Sequence, residues 1–327
     1  MEAWGIAIAD EISATSLSRY LSSLTVLQPH LEGLYLDEID PPLIGTIVAT
    51  RRDVPAIPRG RKRAVTVSIA TIKRDLTALS SVMDYCVDQS WRDDNPVMTW
   101  LKPGRRRKSR LKERRDPIDL PDHRHIQMVI DRAPRLFAKM IAAAVKTGAR
   151  LNELTKGQRR HFDRDRKQLT LIGKRNKLRT IDLADEGGDL GFDVLSSLPA
   201  SLETTALFWH RHEAGRRSRG QRPAEAYRQA STNFRRIIAA VIDQARKQGQ
   251  DFRPFPFHDL RHRSAVDWLK SGRSIYDLQQ RLGHTSIKTT EMYLVYLTPE
   301  EKQIAMLGRS ASGPKTGNRP PVRNGLK

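Results

Sequence analysis

At 327 residues the chain is long enough for about two domains, each able to bury a core. Its 58 Lys and Arg outnumber 37 Asp and Glu, and the net charge of +21 points to an extended polyanion rather than a small acidic metabolite. The single cysteine, Cys86, excludes an intramolecular disulfide, and no stretch reaches the roughly 18 apolar residues that a bilayer span requires.

Residues 13 to 24 read as a first short helix, and residues 68 to 87 as a stronger one. In the second, Ile69, Ile72, Leu76, Leu79, Val82, Met83 and Cys86 recur mostly at three- and four-residue steps. Between them, 51 to 63 carries Pro, Gly and several cations, and Asn95-Pro96 reads as a stop. A small helical domain is expected over 1–108. Within 103 to 115, PGRRRKSRLKERR holds eight cations and one acid, so a basic linker is placed at 109–117. Arg105, Arg106, Arg107, Lys108 and Arg110 of this run are candidates to track a phosphate backbone.

The second domain, expected over 118–309, alternates element types. A helix is read around 123 to 145 and another opening at Arg150. Strands follow at 167 to 172 and 179 to 183, joined by a GKRNK turn. A long helix is read over 223 to 247, opened by Pro223, then a Pro/Phe-rich loop at 252 to 257 and at least two more helices. Residues 310–327 form a basic tail with four cations and no acid, expected to be disordered. The fold class is therefore mainly α with a small antiparallel β-sheet.

Chemistry-bearing residues concentrate in this second domain. TGARLNEL (147 to 154), GKRNKLR (173 to 179), HDLRH (258 to 262) and LGHTSIKTTEMY (282 to 293) follow one another. Arg150 and Lys174 are 24 residues apart, Arg261 and His284 are 23 apart, and Tyr293 lies nine further on. Two guanidiniums give fixed donors where a transferring phosphoryl group gathers charge. A phenol, with a pKa near 10, needs a proton acceptor to attack at neutral pH, and histidine suits that role. Arg150 and Glu153, three apart, can face each other on a helix. His258, His262 and His284 superficially suggest zinc, but their arginine and tyrosine context favours phosphate chemistry, and no metal ligand set is assigned.

This series of motifs resembles the tyrosine recombinase, or phage integrase, family. The resemblance covers about 115 to 300, and extends to a helical core DNA-binding domain at the N-terminus. It implies that this domain and an α+β catalytic domain form a clamp around DNA. It also implies that Arg150 and Arg261 grip the scissile phosphate, Tyr293 attacks it, Lys174 protonates the departing 5' oxygen, and His258 and His284 complete the pocket. Glu153 and His262 are supporting residues, with His262 packing against Asp259 or backbone. Tyr296 takes a packing or DNA-contact role, Thr289 and Thr290 cap or position the tyrosine segment, and Lys177 and Arg179 contact phosphate or support the hairpin. Departures from the family pattern are Gly157 in place of leucine, His161 in place of an acid and Arg263 in place of threonine.

The function the resemblance implies is site-specific recombination through a 3'-phosphotyrosyl intermediate and a Holliday junction, for a phage, prophage or other mobile element. Its partners would be double-stranded DNA with specific sites and a homotetramer assembled on DNA, leaving open an accessory DNA-bending protein. No cofactor, metal or membrane partner is expected, and the expected location is cytoplasmic. The segment at 299 to 308 offers Ile304, Ala305 and Leu307 for docking on a neighbouring subunit. Alternatives are a type IB-like topoisomerase, a catalytically degenerate DNA-binding protein and, among recombinases, a chromosome-dimer resolvase.

Overall fold

A computed structural model describes residues 2–53, 66–102, 111, 118–173, 176–210 and 223–307. The chain divides into two compact units, Met1–Asp116 and Pro117–Lys327. Lys174, the basic run from Arg105 to Arg110 and the tail at 310–327 lie outside the described residues. Among the described residues, no helix is long and apolar enough to cross a membrane.

The first unit contains helices α1 (Glu2–Ile8), α2 (Ala14–Leu27), α3 (Pro41–Asp53), α4 (Ile69–Asp88) and α5 (Pro96–Leu101). Ser13 and Ser68 start α2 and α4 by accepting the Ser16 and Thr71 amides, each satisfying a donor the helix leaves free. The apolar stripe of α4 is buried from Ile72 through Leu76, Leu79 and Met83 to Cys86, and it packs with Leu24 and Leu27 of α2. Asn95-Pro96 begins a helix rather than stopping one. The Asn95 side chain accepts the Val97 and Met98 amides, and Pro96 occupies the first helical turn, where its missing N–H costs nothing. The sequence reading also passed over α3, whose buried Ile44, Ile47 and Val48 follow a Pro-Pro start.

The second unit opens with α6 (His123–Arg132) and α7 (Arg135–Thr147), where one helix was expected. Pro134 explains the break: it has no amide for an intrahelical bond, and it holds Ala133 extended at φ −76°, ψ 149°. After α8 (Leu151–Thr155), β1 (Phe162–Asp163), β2 (Gln168–Ile172) and β3 (Leu178–Asp182) form an antiparallel sheet in that order. Leu171 lies opposite Arg179, and Leu169, Leu171 and Ile181 face the core. Short ladders follow: β4 (Ala184–Asp185) with β5 (Gly188–Asp189), and β6 (Trp209–His210) with β7 (Glu225–Ala226), flanking α9 (Phe192–Ser196).

The helix expected from Pro223 begins seven residues later, as α10 (Ala230–Gln248). The residues before it are extended because Glu225–Ala226 pair with Trp209–His210, while Tyr227 inserts edge-on against Phe137 at 5.2 Å between ring centres. Helices α11 (Asp259–Lys270), α12 (Ile275–Leu282), α13 (Lys288–Glu291) and α14 (Pro299–Leu307) complete the unit. Val266, Leu269, Leu278, Leu282, Tyr293 and Ala305 share a separate apolar cluster. Thus α14 seats Ala305 in its own unit, while Ile304 and Leu307, at 45% and 76% exposure, face outward.

Candidate active site

Two left-handed glycines set the frame. Gly148, at φ +66°, ends α7 and turns the chain so that Arg150 becomes the N-cap of α8. A Cβ on Gly148 would stand 2.8 Å from Leu282 Cδ2, so α7 and α12 meet here without room for a side chain. Gly283, at φ +67°, ends α12 in the same way and delivers His284.

Arg150 and Glu153 meet as their spacing suggested. The Arg150 amide donates to Glu153 Oε2 at 2.7 Å and its Nη1 to Oε1 at 2.9 Å. The Arg150 side chain keeps 40% exposure, so one face of its guanidinium remains open, while Glu153 is buried. A cleft of about 420 Å³ lies over that face, lined by Arg150, Glu153, Lys156, Gly173 and His258. The same cleft reaches Ile172 and Gly173 at the end of β2.

Arg261 is buried inside α11 and spends its guanidinium on two carbonyls, Gly148 at 2.8 Å and Leu282 at 2.6 Å. Burial, with repulsion from Arg150 and Arg179, lowers its pKa to about 9, which leaves it charged at neutral pH. Its Nη2 also donates to His284 Nε2 at 3.1 Å. Because Nε2 is the acceptor, the proton belongs on Nδ1, which faces Thr290 Oγ1 at 2.9 Å. Thr290 thus holds the histidine from the helix preceding Tyr293.

Tyr293 is only 1% exposed, and its hydroxyl lies 2.9 Å from His262 Nδ1. The supporting contact expected for His262, with Asp259 or backbone, is replaced by this direct contact. One residue past Arg261 on α11 turns the ring toward the tyrosine rather than along its own helix. The His258 ring packs edge-on against His262 at 4.8 Å between centres, so three histidines, two arginines and the tyrosine occupy one neighbourhood. Burial first, then cationic neighbours, lowers the pKa of His262 and of His284 to about 4, and lowers that of His258 as well. These rings are neutral at pH 7. Burial pushes the Tyr293 phenol up, against the pull of Arg261 and Arg150.

Tyr296 sits apart, donating its hydroxyl to the Ile118 carbonyl. Lys177 is exposed, and its carbonyl accepts the Gly173 amide at 2.8 Å, closing the hairpin. Arg179 is not held out toward solvent: both of its terminal nitrogens bind Glu153. The three departures from the family pattern are absorbed locally. Gly157 lies where a Cβ would approach the Leu154 carbonyl to 3.1 Å. His161 Nδ1 accepts the Gln158 amide, as an acid there would, and Arg263 pairs with Asp267. Arg281 was missed in the sequence. It is buried and ties α12 to the carbonyls of Asp182, Lys146 and Leu190, yet in sequence it reads as an ordinary surface cation. Among the described residues, no group of three or more His, Cys, Asp or Glu is arranged to hold a metal ion.

A model of the phage integrase family matches residues 126–298. A tyrosine recombinase XerC of Mycobacterium tuberculosis is 30% identical over 181 residues, 55% of this chain and 51% of the relative, so the chain spans about half the length of that protein. A lambda integrase dimer bound to a COC' core site has a similar fold, with a TM-score of 0.63 at 18% identity over 88% of this chain and 96% of that one. A lambda integrase tetramer bound to a Holliday junction aligns with the same TM-score at 17% identity, covering 89% of this chain and 75% of that one.

Proposed function

The chain belongs to the phage integrase family, the tyrosine recombinases, and from that premise we propose that it is a site-specific recombinase that cuts and rejoins duplex DNA through a 3'-phosphotyrosyl intermediate. The carrying observation is the Tyr293 hydroxyl 2.9 Å from a neutral His262 ring, in the same neighbourhood as the Arg261–His284 pair. Tyr293 Oη attacks the phosphorus and the bond to the 5' oxygen breaks. The phenolic proton passes to His262 Nδ1, and Lys174 gives a proton to the departing oxygen. The entering phosphate's negative charge raises the histidine pKa values and so favours that transfer. Arg150 offers its open face to a nonbridging oxygen, and the buried Arg261 guanidinium adds fixed positive charge. These groups supply the charge neutralisation and leaving-group activation that a metal would otherwise provide.

The basic run at 105 to 110 and the helical unit contribute phosphate contacts on the same duplex, giving strong salt dependence. Two duplexes exchange strands through a Holliday junction in a tetramer assembled on DNA, a reading supported by the likeness to the lambda integrase tetramer. The outward-facing Ile304, Met306 and Leu307 of α14 offer apolar contacts to a neighbouring subunit. The biological setting we favour is a phage, prophage or other mobile element in the bacterial cytoplasm, because of the extended basic N-terminal region and tail. The XerC likeness supports the second reading, chromosome-dimer resolution.

Trapping on a nicked suicide duplex in EDTA tests the chemistry. Native chain and Tyr296→Phe form a covalent adduct, and Tyr293→Phe forms none. Specific binding without an adduct in the native chain would overturn the enzyme reading in favour of a DNA-binding protein. Strand exchange between two labelled duplexes separates a recombinase from a topoisomerase acting on one.

A further inference from the structure

We propose that Arg179 is a positioning residue that keeps the charge of Arg150 available to the scissile phosphate, by taking up the carboxylate of Glu153. The inference rests on the recombinase reading above. It begins with the way Arg179 uses its donors. Nη1 and Nη2 bind the two oxygens of Glu153 at 2.5 and 2.8 Å, and Nε binds the Arg281 carbonyl at 2.9 Å. The side chain is 14% exposed, against 40% for Arg150. Arg179 is thus committed inward, and Arg150 retains an outward face.

Charge counting gives the consequence. Arg150, Glu153 and Arg179 together carry two positive charges and one negative, a net of +1 at the wall of the cleft. Without Arg179, Arg150 and Glu153 become a neutral pair, and the carboxylate draws the guanidinium away from an incoming anion. Geometry adds a second effect. Arg179 lies on β3, opposite Leu171, so that strand is anchored directly to Glu153. Gly283 rests on the arginine's stem, where a Cβ would approach Arg179 Cδ to 3.0 Å, so the turn delivering His284 is seated on the same side chain. Lysine, a point charge on a flexible stem, cannot span both carboxylate oxygens and a carbonyl from one plane.

The test uses the full chain on a nicked suicide duplex of the tightest-binding sequence selected from a random pool by the native protein. Arg179→Met is expected to slow single-turnover adduct formation about 100-fold. DNA affinity should stay within about twofold and the salt slope unchanged, because no phosphate contact is lost. Arg179→Lys, which keeps the charge, is expected to slow the step about tenfold and secures the test if the Met variant does not fold. The decisive readout is rescue. Glu153→Gln combined with Arg179→Met restores the net +1 and should recover about tenfold over Arg179→Met alone. A purely structural role for Arg179 predicts a double variant slower than the single, which would overturn the proposal. Weaker binding with a shallower salt slope would overturn it in favour of a direct phosphate contact. Native-rate cleavage by Arg179→Met would overturn it alone, whereas a native chain that binds without forming an adduct would overturn the recombinase reading and this assignment with it.

Discussion

Among the described residues, the polar and charged side chains that lie fully buried are split unevenly between the two units. The helical unit has one, Asp75, and the second has Thr147, Glu153, Arg261, Ser264, Arg281 and Thr290. In the first unit, α4 buries a continuous apolar stripe, and Asp75 answers a single partner, Arg51, at 2.8 Å. In the second, Glu153 alone satisfies two arginines and a backbone amide, and Arg261 satisfies two carbonyls and a histidine. Burying charge costs several kcal/mol per ion unless partners are built around it. The second unit accepts that cost at the candidate site, where, on the recombinase reading, donors fixed in advance need no reorganisation during reaction.

The contrast can be broken by deleting one buried acid from each unit. Glu153→Ala leaves Arg179 buried without its carboxylate and should cost about 3 kcal/mol in a urea melt. Asp75→Ala should cost about 1 kcal/mol, since Arg51 ends α3 and can turn toward water. Equal losses would erase the distinction between the units.

Acidification sharpens the contrast from the other side. His262 and His284 have folded pKa values near 4, against 6.5 for an unperturbed ring. Between those values the unfolded chain binds more protons than the folded one, so stability is full above pH 6.5 and falls as pH drops toward 4. A thermal melt should show the second unit losing about 5 °C between pH 7 and 5.5. His262→Asn should flatten that slope. Gly148→Ala is expected to cost about 1 kcal/mol, no more than Asp75→Ala. It forces a side chain into φ +66° and against Leu282, although Leu282 Cδ2 can swing partly aside. A larger loss would mean that Leu282 and Ser264, which also lies within 3.3 Å of such a Cβ, cannot move aside.

Much of this organisation is legible in the chain, because the informative features are local. Helix spacing along α4, the β2–β3 hairpin and the three-residue step from Arg150 to Glu153 depend on neighbours in sequence. Where the reading failed, a partner distant in sequence decided the outcome. The segment after Pro223 is extended because it meets Trp209–His210 and Phe137. His262 faces Tyr293, 31 residues away, rather than its own helix, and Arg179 faces Glu153, 26 residues earlier. No periodicity reports such encounters. The split at Pro134 and the start at Asn95-Pro96 are different, since both carry local signals that a closer weighing of proline and asparagine at helix ends would have resolved.

The near-complete burial of Tyr293 has a consequence for selectivity. On the recombinase reading, a nucleophile with 1% exposure is kept from stray phosphodiesters while its hydroxyl stays beside its proton acceptor, His262. Variants that loosen Lys288–Glu291, which holds Thr290 against His284, should then cut with less discrimination among sites.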